Sequence, residues 1–419
     1  MKILLVNPNR YRTPPVPPLA LEYLSSGLRG SGHQARLLDL CFADFPENVL
    51  DREMESFQPQ VAGFTIRNID TALYNNNVFF LDEIKALLER VKSHCIPVIA
   101  GGAGYSFSPR GVLEYLGATW GIRGPGEKAL VRLFDTCEKN PPQEGEIIDG
   151  WEYAPDPDLE VTGRGTEIDY GRYVAEGGII GFETQKGCLA DCSFCPEGSG
   201  RMIYRRPQRV VDELRELAGR GFREFHLCDS EFNQNLDFCL EFLALLASQG
   251  PEISWALYMK PVPYDEELFR LLKRSGANLI TLSLQVSPKE LKHAREISSL
   301  CRKHGIRLAV DFLCGLPGET LEEVRGAIEN LRSIRPDTVG VNSFVRLCPG
   351  TGVTREISGS DKHRKHVLGD LNGTPPFIRP VFYNIIPVEA LREMIGDDPL
   401  FRIEGFERST NYQRLREAP

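Results

Sequence analysis

Short apolar segments alternate with amphipathic helical segments along two stretches of this 419-residue chain. In the first stretch the predicted strands are Lys2–Val6, Ala35–Leu38, Val61–Ile66, Pro97–Ala100 and Trp120–Ile122. Apolar strands that alternate with helices form parallel sheets with both faces covered, and such sheets bind ligands at the carboxyl ends of their strands. The pattern therefore predicts an α/β fold that begins with a doubly wound, Rossmann-like domain over residues 1–139.

The second stretch repeats the alternation with six predicted strands. They are Ile179–Thr184, Glu224–Cys228, Ser254–Tyr258, Leu279–Leu284, Arg307–Cys314 and Thr338–Phe344. Six such units predict a partial (β/α)6 barrel over residues 176–357, with its chemistry at the carboxyl ends of the strands. Residues 140–175 are rich in Pro, Gly and acidic residues, which predicts a linker, and residues 358–419 are expected to form a small C-terminal extension.

Composition excludes several functional classes. The net charge of -9 argues against a general nucleic-acid binder, which needs a clustered basic face. No apolar run has the length of a membrane span and no signal peptide precedes the first strand, so we expect a cytoplasmic protein. The eleven cysteines do not indicate a disulfide scaffold. The isolated ones are expected to be buried as small hydrophobic side chains: Cys41, Cys95, Cys137, Cys228, Cys239, Cys301, Cys314 and Cys348.

The remaining three cysteines form a CxxxCxxC motif, Cys188, Cys192 and Cys195, just after the first strand of the second stretch. Closely spaced thiolates on one loop bind iron–sulfur clusters. Three ligands would leave one iron of a [4Fe–4S] cubane open, whereas a structural zinc site uses four protein ligands. The sequence has no second CxxC or HxxxH pair, so we predict a [4Fe–4S] cluster, with zinc bound through additional ligands as the alternative.

This motif, with Phe194 before its last cysteine, resembles the signature of the radical S-adenosylmethionine superfamily. The resemblance implies reductive cleavage of S-adenosylmethionine to a 5′-deoxyadenosyl radical, with an electron donor as a partner. The residues that match the family's S-adenosylmethionine motifs, in family order at strand ends, are Phe194, Asp229, Glu231, Lys260, Ser283, Gln285 and Leu316. Taken singly, a charged residue of this set is equally well explained as a solvated loop residue, and Glu319 as an ordinary helix start.

The first domain resembles the cobalamin-binding domain of the B12-dependent branch of this superfamily. The residues that carry this resemblance, and that it implies bind cobalamin, are Asn7, Pro8, Thr65, Arg67, Asn68, Asp70, Gly101, Gly102, Ala103, Gly104, Gly124, Gly126 and Glu127. Glycines allow the backbone to approach a bulky corrin and its nucleotide tail. The first strand is not followed by G-x-G-x-x-G, which disfavours a dinucleotide.

The segment after the first strand departs from the better-known cobalamin domains because residues 7–19 contain no histidine. We therefore expect no histidine on the lower face of the cobalt, and Arg10, Tyr11 and Arg67 are candidates to approach it. Arg67 pairing with Asp70 is the simpler alternative. His33 lies at a predicted helix–strand turn, where we expect a capping or surface role.

Together the two resemblances imply a cobalamin-dependent C-methyltransferase that methylates an unactivated sp3 carbon, using methylcobalamin and a 5′-deoxyadenosyl radical. Among relatives of this size the chain is most similar to the archaeal enzymes that methylate a glutamine of methyl-coenzyme M reductase, so a protein or peptide side chain is the predicted substrate. The alternatives are a lipid or small-molecule substrate, a rearrangement or oxidation without methyl transfer, and a non-catalytic metal-binding regulator.

Overall fold

The structure is a computed structural model that describes residues 1–137, 141–153, 164–198 and 200–406. Its chain forms two compact units. The first unit contains residues 1–71, 78–181 and 372–379, and the second contains residues 72–77, 182–371 and those from 380 onward. Each unit therefore includes a short segment that is distant in sequence from the rest of that unit.

A six-stranded sheet forms the centre of the first unit. The elements are β1 (Lys2–Asn7), α1 (Leu19–Gly30), β2 (Gln34–Asp39), α2 (Pro46–Phe57), β3 (Val61–Thr65), α3 (Leu81–Ser93), β4 (Val98–Gly101), α4 (Ala103–Phe107), α5 (Pro109–Leu116), β5 (Trp120–Arg123), α6 (Glu127–Cys137), β6 (Ile147–Asp149) and α7 (Tyr170–Ala175). The strand order is β2-β1-β3-β4-β5-β6 and all the pairs are parallel. The order reverses between β1 and β3, and a sheet of this kind binds ligands in the crevice at that point.

Both faces of this sheet are covered, which explains the continuous apolar run of β1. Ile3 and Leu5 belong to a core cluster with residues of α1 and α6. Leu4 and Val6 point the other way and belong to a second cluster with residues of α2, α3 and α5. Alternate residues of a strand point to opposite faces, so a strand buried on both sides is apolar throughout.

Four elements of the first unit were not predicted from the sequence: α2, α4, β6 and α7. Helix α2 starts with a proline in its first turn and buries Leu50, Met54 and Phe57 on one face. That spacing is helical, so the signal was present. Strand β6 pairs with β5 inside the predicted linker, where its three residues are too few to show a periodic pattern. Residues 140 and 154–163 of that predicted linker lie outside the described residues.

A seven-stranded sheet forms the centre of the second unit. The elements are β7 (Ile180–Phe182), β8 (Gln185–Gly187), β9 (Met202–Tyr204), α8 (Pro207–Gly219), β10 (Glu224–Leu227), α9 (Leu236–Gln249), β11 (Ser254–Met259), α10 (Glu266–Arg274), β12 (Ala277–Leu284), α11 (Pro288–His304), β13 (Arg307–Leu313), α12 (Leu321–Ile334), β14 (Thr338–Asn342), β15 (Val345–Arg346), α13 (Gly352–Ser358), α14 (Asp361–Arg364), β16 (Val367–Leu368), β17 (Phe382–Tyr383), α15 (Val388–Ile395) and β18 (Phe401–Ile403). The order is β18-β14-β13-β12-β11-β10-β7, and the pairs from β10 to β18 are parallel.

The six predicted strands of the barrel are all present, and the C-terminal segment adds a seventh. Strand β18 pairs with β14, with Phe401 opposite Val339. Two small sheets complete the unit: β8 with β9, and β17 between β15 and β16. Among the described residues no helix is long and apolar enough to cross a membrane.

Burial of the eight isolated cysteines follows the prediction at six positions and contradicts it at two. Cys95 and Cys228 are exposed. Cys95 lies two residues after the end of α3 and adopts a left-handed conformation with φ of 58°. Cys228 follows the carboxyl end of β10, where a parallel sheet opens towards its ligand side.

Candidate functional sites

The three clustered cysteines lie on the loop between β8 and β9. These two strands are antiparallel, with Gly187 opposite Met202, so they close the base of the loop. All three cysteines are free thiols. A backbone hydrogen bond of 3.1 Å from the amide of Cys195 to the carbonyl of Cys192 tightens the turn between them.

The three thiols have different surroundings. Cys188 is only 6% exposed, and its sulfur accepts hydrogen bonds from Nε2 of Gln234 (3.0 Å) and from the amide of Ala190 (3.4 Å). Cys192 and Cys195 are half-buried. Burial raises the pKa of Cys195 to about 11 and also raises the pKa of Cys192, with the positive charge of Lys260 opposing the shift at Cys192.

This loop fits an iron–sulfur cluster by its donor chemistry. Three free thiols on one loop can each bind a different iron, and backbone and side-chain N–H groups already point at one of the sulfurs. Among the described residues, no three His, Cys, Asp or Glu side chains converge on a point where they would hold a single metal ion. Cluster ligands need not converge in that way.

Asp229 follows β10 and supports the entry to the cysteine loop. Its carboxylate accepts hydrogen bonds from the backbone amides of Thr184 (2.8 Å) and Gln185 (3.2 Å) and from the Thr184 hydroxyl. Burial raises the pKa of Asp229 to about 7, although these hydrogen bonds oppose the shift. Its role as an acceptor for the S-adenosylmethionine ammonium stays a prediction, and the observed bonds favour a structural role.

Glu231 lies two residues further on, and its carboxylate is less fully hydrogen-bonded than that of Asp229. One of its carboxylate oxygens, Oε2, is buried and has no hydrogen-bond partner among the described residues. Burial raises the pKa of Glu231 to about 7, whereas a hydrogen bond with Ser283 and the charge of Lys260 favour the ionised form. The structure therefore brings together three of the residues predicted to bind S-adenosylmethionine, at the carboxyl ends of β10, β11 and β12.

The other predicted residues of this set are half-buried and lie on loops after the strands. The amide of Gln285 donates to Glu290 (2.9 Å) at the start of α11. The amide of Leu316 donates to Glu319 (3.2 Å), and so does the amide of Gly315 (2.6 Å), so Glu319 closes this turn. Phe194 is half-buried within the cysteine loop.

Two side chains that hold this region together were not identified from the sequence. Asn233 is fully buried, accepts from the amide of Lys260 (2.9 Å) and donates to its carbonyl (3.0 Å). Nε2 of Gln185 donates to the carbonyls of Glu231 (2.6 Å) and Phe232 (3.1 Å). The run of polar residues after Glu231 was the available signal, but a contact with Lys260, 27 residues away, becomes visible only in the folded chain.

In the first unit, a cavity of about 290 Å³ lies at the point where the strand order reverses. The loop after β1 contributes Pro8, Asn9, Arg10 and Tyr11, and the loop after β3 contributes Thr65, Arg67 and Asn68. The rest of the lining comes from residues 78–80, 83 and 84. The predicted cobalamin residues Pro8, Thr65, Arg67 and Asn68 are thus brought together with the predicted lower-face candidates, at the place where a doubly wound sheet binds its ligand.

Two predicted residues beside this cavity are buried. The side-chain amide of Asn7 donates to Asp39 (2.8 Å), and Asp70 is 4% exposed. His33 does not have the surface role that was predicted. Its Nε2 lies 3.2 Å from Asp135, and its ring packs against Phe134.

The glycines after β4 are required by the close packing of the protein backbone, whether or not a cofactor is bound. A Cβ on Gly102, whose φ is 103°, would lie 2.7 Å from the carbonyl oxygen of Ile66, and one on Gly104 would lie 2.8 Å from Cα of Asn68. The amide of Gly104 donates to the carbonyls of Ile66 (2.8 Å) and Arg67 (2.9 Å). Gly102 and Gly104 therefore pack closely against the loop that carries the predicted cobalamin residues.

The loop after β5 is also tightly packed. Gly124 has φ of 78°, and a Cβ there would lie 2.5 Å from Nε1 of Trp151. Its amide donates to the Ser106 hydroxyl (3.0 Å), which ties this loop to α4. Gly126 lies against Leu24, and Glu127 begins α6.

Two family profiles match the chain, one in each half. The profile described as "B12 binding domain" matches residues 10–134, and the profile described as "Radical SAM superfamily" matches residues 182–331.

Full-length relatives agree with these profiles. The tryptophan 2-C-methyltransferase of Streptomyces laurentii is 26% identical, with 94% of this chain and 81% of that protein covered. The structure of the radical S-adenosylmethionine methyltransferase TsrM from Kitasatospora setae, with tryptophan and an S-adenosylmethionine analogue bound, matches with a TM-score of 0.78 at 27% identity. That match covers 85% of this chain and 76% of TsrM. The cytidylyl-2-hydroxyethylphosphonate methyltransferase of Streptomyces wedmorensis is 22% identical, with 78% of this chain and 76% of that protein covered.

The chain therefore belongs to the cobalamin-dependent radical S-adenosylmethionine enzymes. It is a methyltransferase of that class, whose cofactors are a [4Fe–4S] cluster, S-adenosylmethionine and cobalamin. The fold class and the cofactors predicted from the sequence are confirmed.

Proposed function

We propose that this enzyme transfers a methyl group to a carbon atom of its substrate, with Cys188, Cys192 and Cys195 as the ligands of the cluster. When bound, the cluster and S-adenosylmethionine supply radical chemistry and cobalamin supplies the methyl group. The observation that carries this proposal is the three-thiol loop beside Glu231 and Lys260 at the strand ends of a parallel sheet. The predicted reaction, methylation of an unactivated sp3 carbon, is one form of this chemistry.

The residues near the cysteine loop can bind the polar parts of S-adenosylmethionine. Ionised Glu231 would accept hydrogen bonds from its ammonium group, and Lys260 would pair with its carboxylate. Ser283 and Gln285 are proposed to bind the ribose hydroxyls, and Leu316 to lie near the adenine. In the first unit, Asn7, Pro8, Thr65, Arg67 and Asn68, with the glycine-rich loops behind them, are proposed to hold cobalamin.

For the substrate, the relatives favour a small molecule with a ring system such as tryptophan. Tryptophan is the substrate named for a relative that aligns with 94% of this chain. The glutamine side chain of methyl-coenzyme M reductase, which the sequence alone favoured, stays a prediction and is the second candidate.

The test is an anaerobic assay of the enzyme loaded with its cluster and cobalamin. S-adenosylmethionine with a trideuterated methyl group and a low-potential reductant are added to tryptophan or to a glutamine-containing peptide of the reductase. We expect one of the two to gain the labelled methyl group, detected by mass spectrometry together with 5′-deoxyadenosine. The Cys192→Ala variant serves as the control.

Each outcome has a defined meaning. Labelled tryptophan supports the small-molecule candidate, and a labelled peptide supports the protein candidate. 5′-Deoxyadenosine with no methylated product from a broader set of substrates would favour a rearrangement or oxidation. If the loaded enzyme makes neither, the regulator alternative replaces the proposal.

A further inference from the structure

The amide side chain of Gln234 makes two hydrogen bonds to the cysteine loop. Nε2 donates to the sulfur of Cys188 at 3.0 Å, and Oε1 accepts from the amide of Leu189 at 3.2 Å. The two bonds fix the orientation of the side-chain amide, because a backbone N–H can only donate and must therefore face the oxygen. The NH2 group is consequently left pointing at the sulfur.

Gln234 is well placed to act on one thiolate rather than on all three. Cys188 is 6% exposed, whereas Cys192 and Cys195 are half-buried and open to water. Water can solvate an exposed thiolate, but a buried one depends on the donors that the protein provides. Among the residues that the structure describes, the donors to the Cys188 sulfur are Gln234 and the backbone amide of Ala190.

We propose that Gln234 is a positioning residue that raises the reduction potential of the [4Fe–4S] cluster through its bond to Cys188. This inference rests on the proposed function, since it requires the cluster on this loop. Reduction adds one electron from an external one-electron donor and makes or breaks no covalent bond. Part of the added negative charge resides on the sulfurs, so an N–H donor stabilises the reduced state more than the oxidised state and raises the potential.

The experiment is a potentiometric titration with titanium(III) citrate, followed by the electron paramagnetic resonance signal of the reduced cluster. Gln234→Glu keeps an oxygen acceptor for Leu189 but replaces the NH2 donor with a carboxylate oxygen, and Gln234→Leu removes both bonds. We expect both variants to have a more negative midpoint potential than the wild type, with the larger shift for Gln234→Glu because it adds a negative charge.

Gln208 provides the matched control. It is exposed on α8 and bonds to Asp212, so Gln208→Glu and Gln208→Leu repeat the same chemical changes away from the cysteine loop. We expect both control variants to titrate at the wild-type potential. Wild-type potentials for both Gln234 variants, or a less negative potential for either one, overturn the inference.

Iron and sulfide analysis separates this inference from the proposed function. A wild-type protein that binds no cluster contradicts the proposed function, whereas loaded Gln234 variants with unchanged potentials contradict only the role of Gln234. If neither Gln234 variant loads a cluster, the hydrogen bond is tested in the wild type with 15N in its glutamine side chains, by electron paramagnetic resonance of the reduced cluster. Coupling of the reduced cluster to that 15N supports the bond, and its absence overturns it.

Discussion

At the scale of single residues, the charge of Glu231 depends strongly on the groups that surround it. Burial favours its neutral form, and the negative charge of Asp311 acts in the same direction. Ser283 and Lys260 favour the ionised form, and the net effect is a pKa of about 7. A carboxyl group with a pKa near 7 loses its charge over a pH range in which carboxylates of ordinary pKa keep theirs.

The affinity for an adenosyl amino acid is therefore expected to rise with pH. With a pKa of about 7, the ionised fraction of Glu231 increases about tenfold from pH 6 to pH 8, and only that form can pair with an ammonium group. We expect S-adenosylhomocysteine to bind about tenfold more tightly at pH 8, measured by calorimetry on the loaded enzyme. The Glu231→Gln variant should bind S-adenosylhomocysteine weakly, with an affinity that does not depend on pH in this range. A similar rise in the affinity of this variant would assign the effect to another group.

Gly104 is the glycine whose replacement should affect the predicted cobalamin site most directly. A methyl group there would meet the backbone of Asn68 at 2.8 Å and displace the loop that carries Arg67 and Asn68. Overpacking of this kind costs about 1–3 kcal/mol, so we expect Gly104→Ala to bind cobalamin about 5- to 150-fold more weakly in an absorbance titration.

Gly27 is the control for this change. It lies within α1 with only Val131 near its added methyl, at 3.9 Å. Gly27→Ala should leave the cobalamin affinity unchanged and stabilise the helix by about 0.5–1 kcal/mol. Equal affinities for the two variants would mean that the loop after β3 does not contact cobalamin.

At the scale of secondary-structure elements, a buried ion pair attaches the segment before β7 to α1. Arg164 and Glu22 are 2.9 Å apart, and both side chains are only 1% exposed. Arg164 also donates to the Tyr170 hydroxyl (2.7 Å) and to the carbonyl of Gly181 (2.6 Å). One guanidinium group thus joins α1, α7 and the backbone at Gly181.

Removing this guanidinium should destabilise the first unit strongly. Arg164→Met leaves the Glu22 carboxylate buried without the guanidinium charge, and breaking such a pair costs about 3–5 kcal/mol. We expect that loss in the free energy of unfolding, measured by urea denaturation. Arg90→Met is the control, because Arg90 is 45% exposed beside Asp51 and such surface pairs contribute at most about 1 kcal/mol. A loss below 1 kcal/mol for Arg164→Met would contradict the role of this pair.

The long periodic elements were accessible to sequence analysis, and the short ones were not. Helices such as α11 carry many turns of apolar periodicity, and the strands β12 and β13 are long and mainly apolar. Strands β6 and β18 have three residues each, so only their pairing with β5 and β14 defines them.

At the scale of the whole molecule, the residues proposed for the two metal cofactors belong to different units. The cysteine loop lies in the second unit and the cavity beside β1 and β3 lies in the first. Each unit contains a parallel sheet of its own, so we expect each site to form without the other cofactor.

This organisation predicts independent loading. A variant with Cys188, Cys192 and Cys195 all replaced by Ala should lose its iron and its cluster absorption but bind cobalamin with an affinity within about twofold of the wild type. Iron analysis and an absorbance titration with hydroxocobalamin measure the two properties on one sample. Loss of cobalamin binding together with iron would show that the sites are coupled.

The sequence by itself determined the chemistry: three thiols at a fixed spacing, and strands that are predicted to be parallel because they are mainly apolar and separated from one another by helices. Local spacing and periodicity depend only on neighbouring residues, so they can be read without a fold. Only the tertiary structure decided which polar groups remain available to bind a ligand. Asp229, Asn233 and Gln234 already make hydrogen bonds within the protein, to partners up to 46 residues away. Such pairings are decided when the strands assemble, since burial leaves each polar group dependent on whichever partner the packing brings to it.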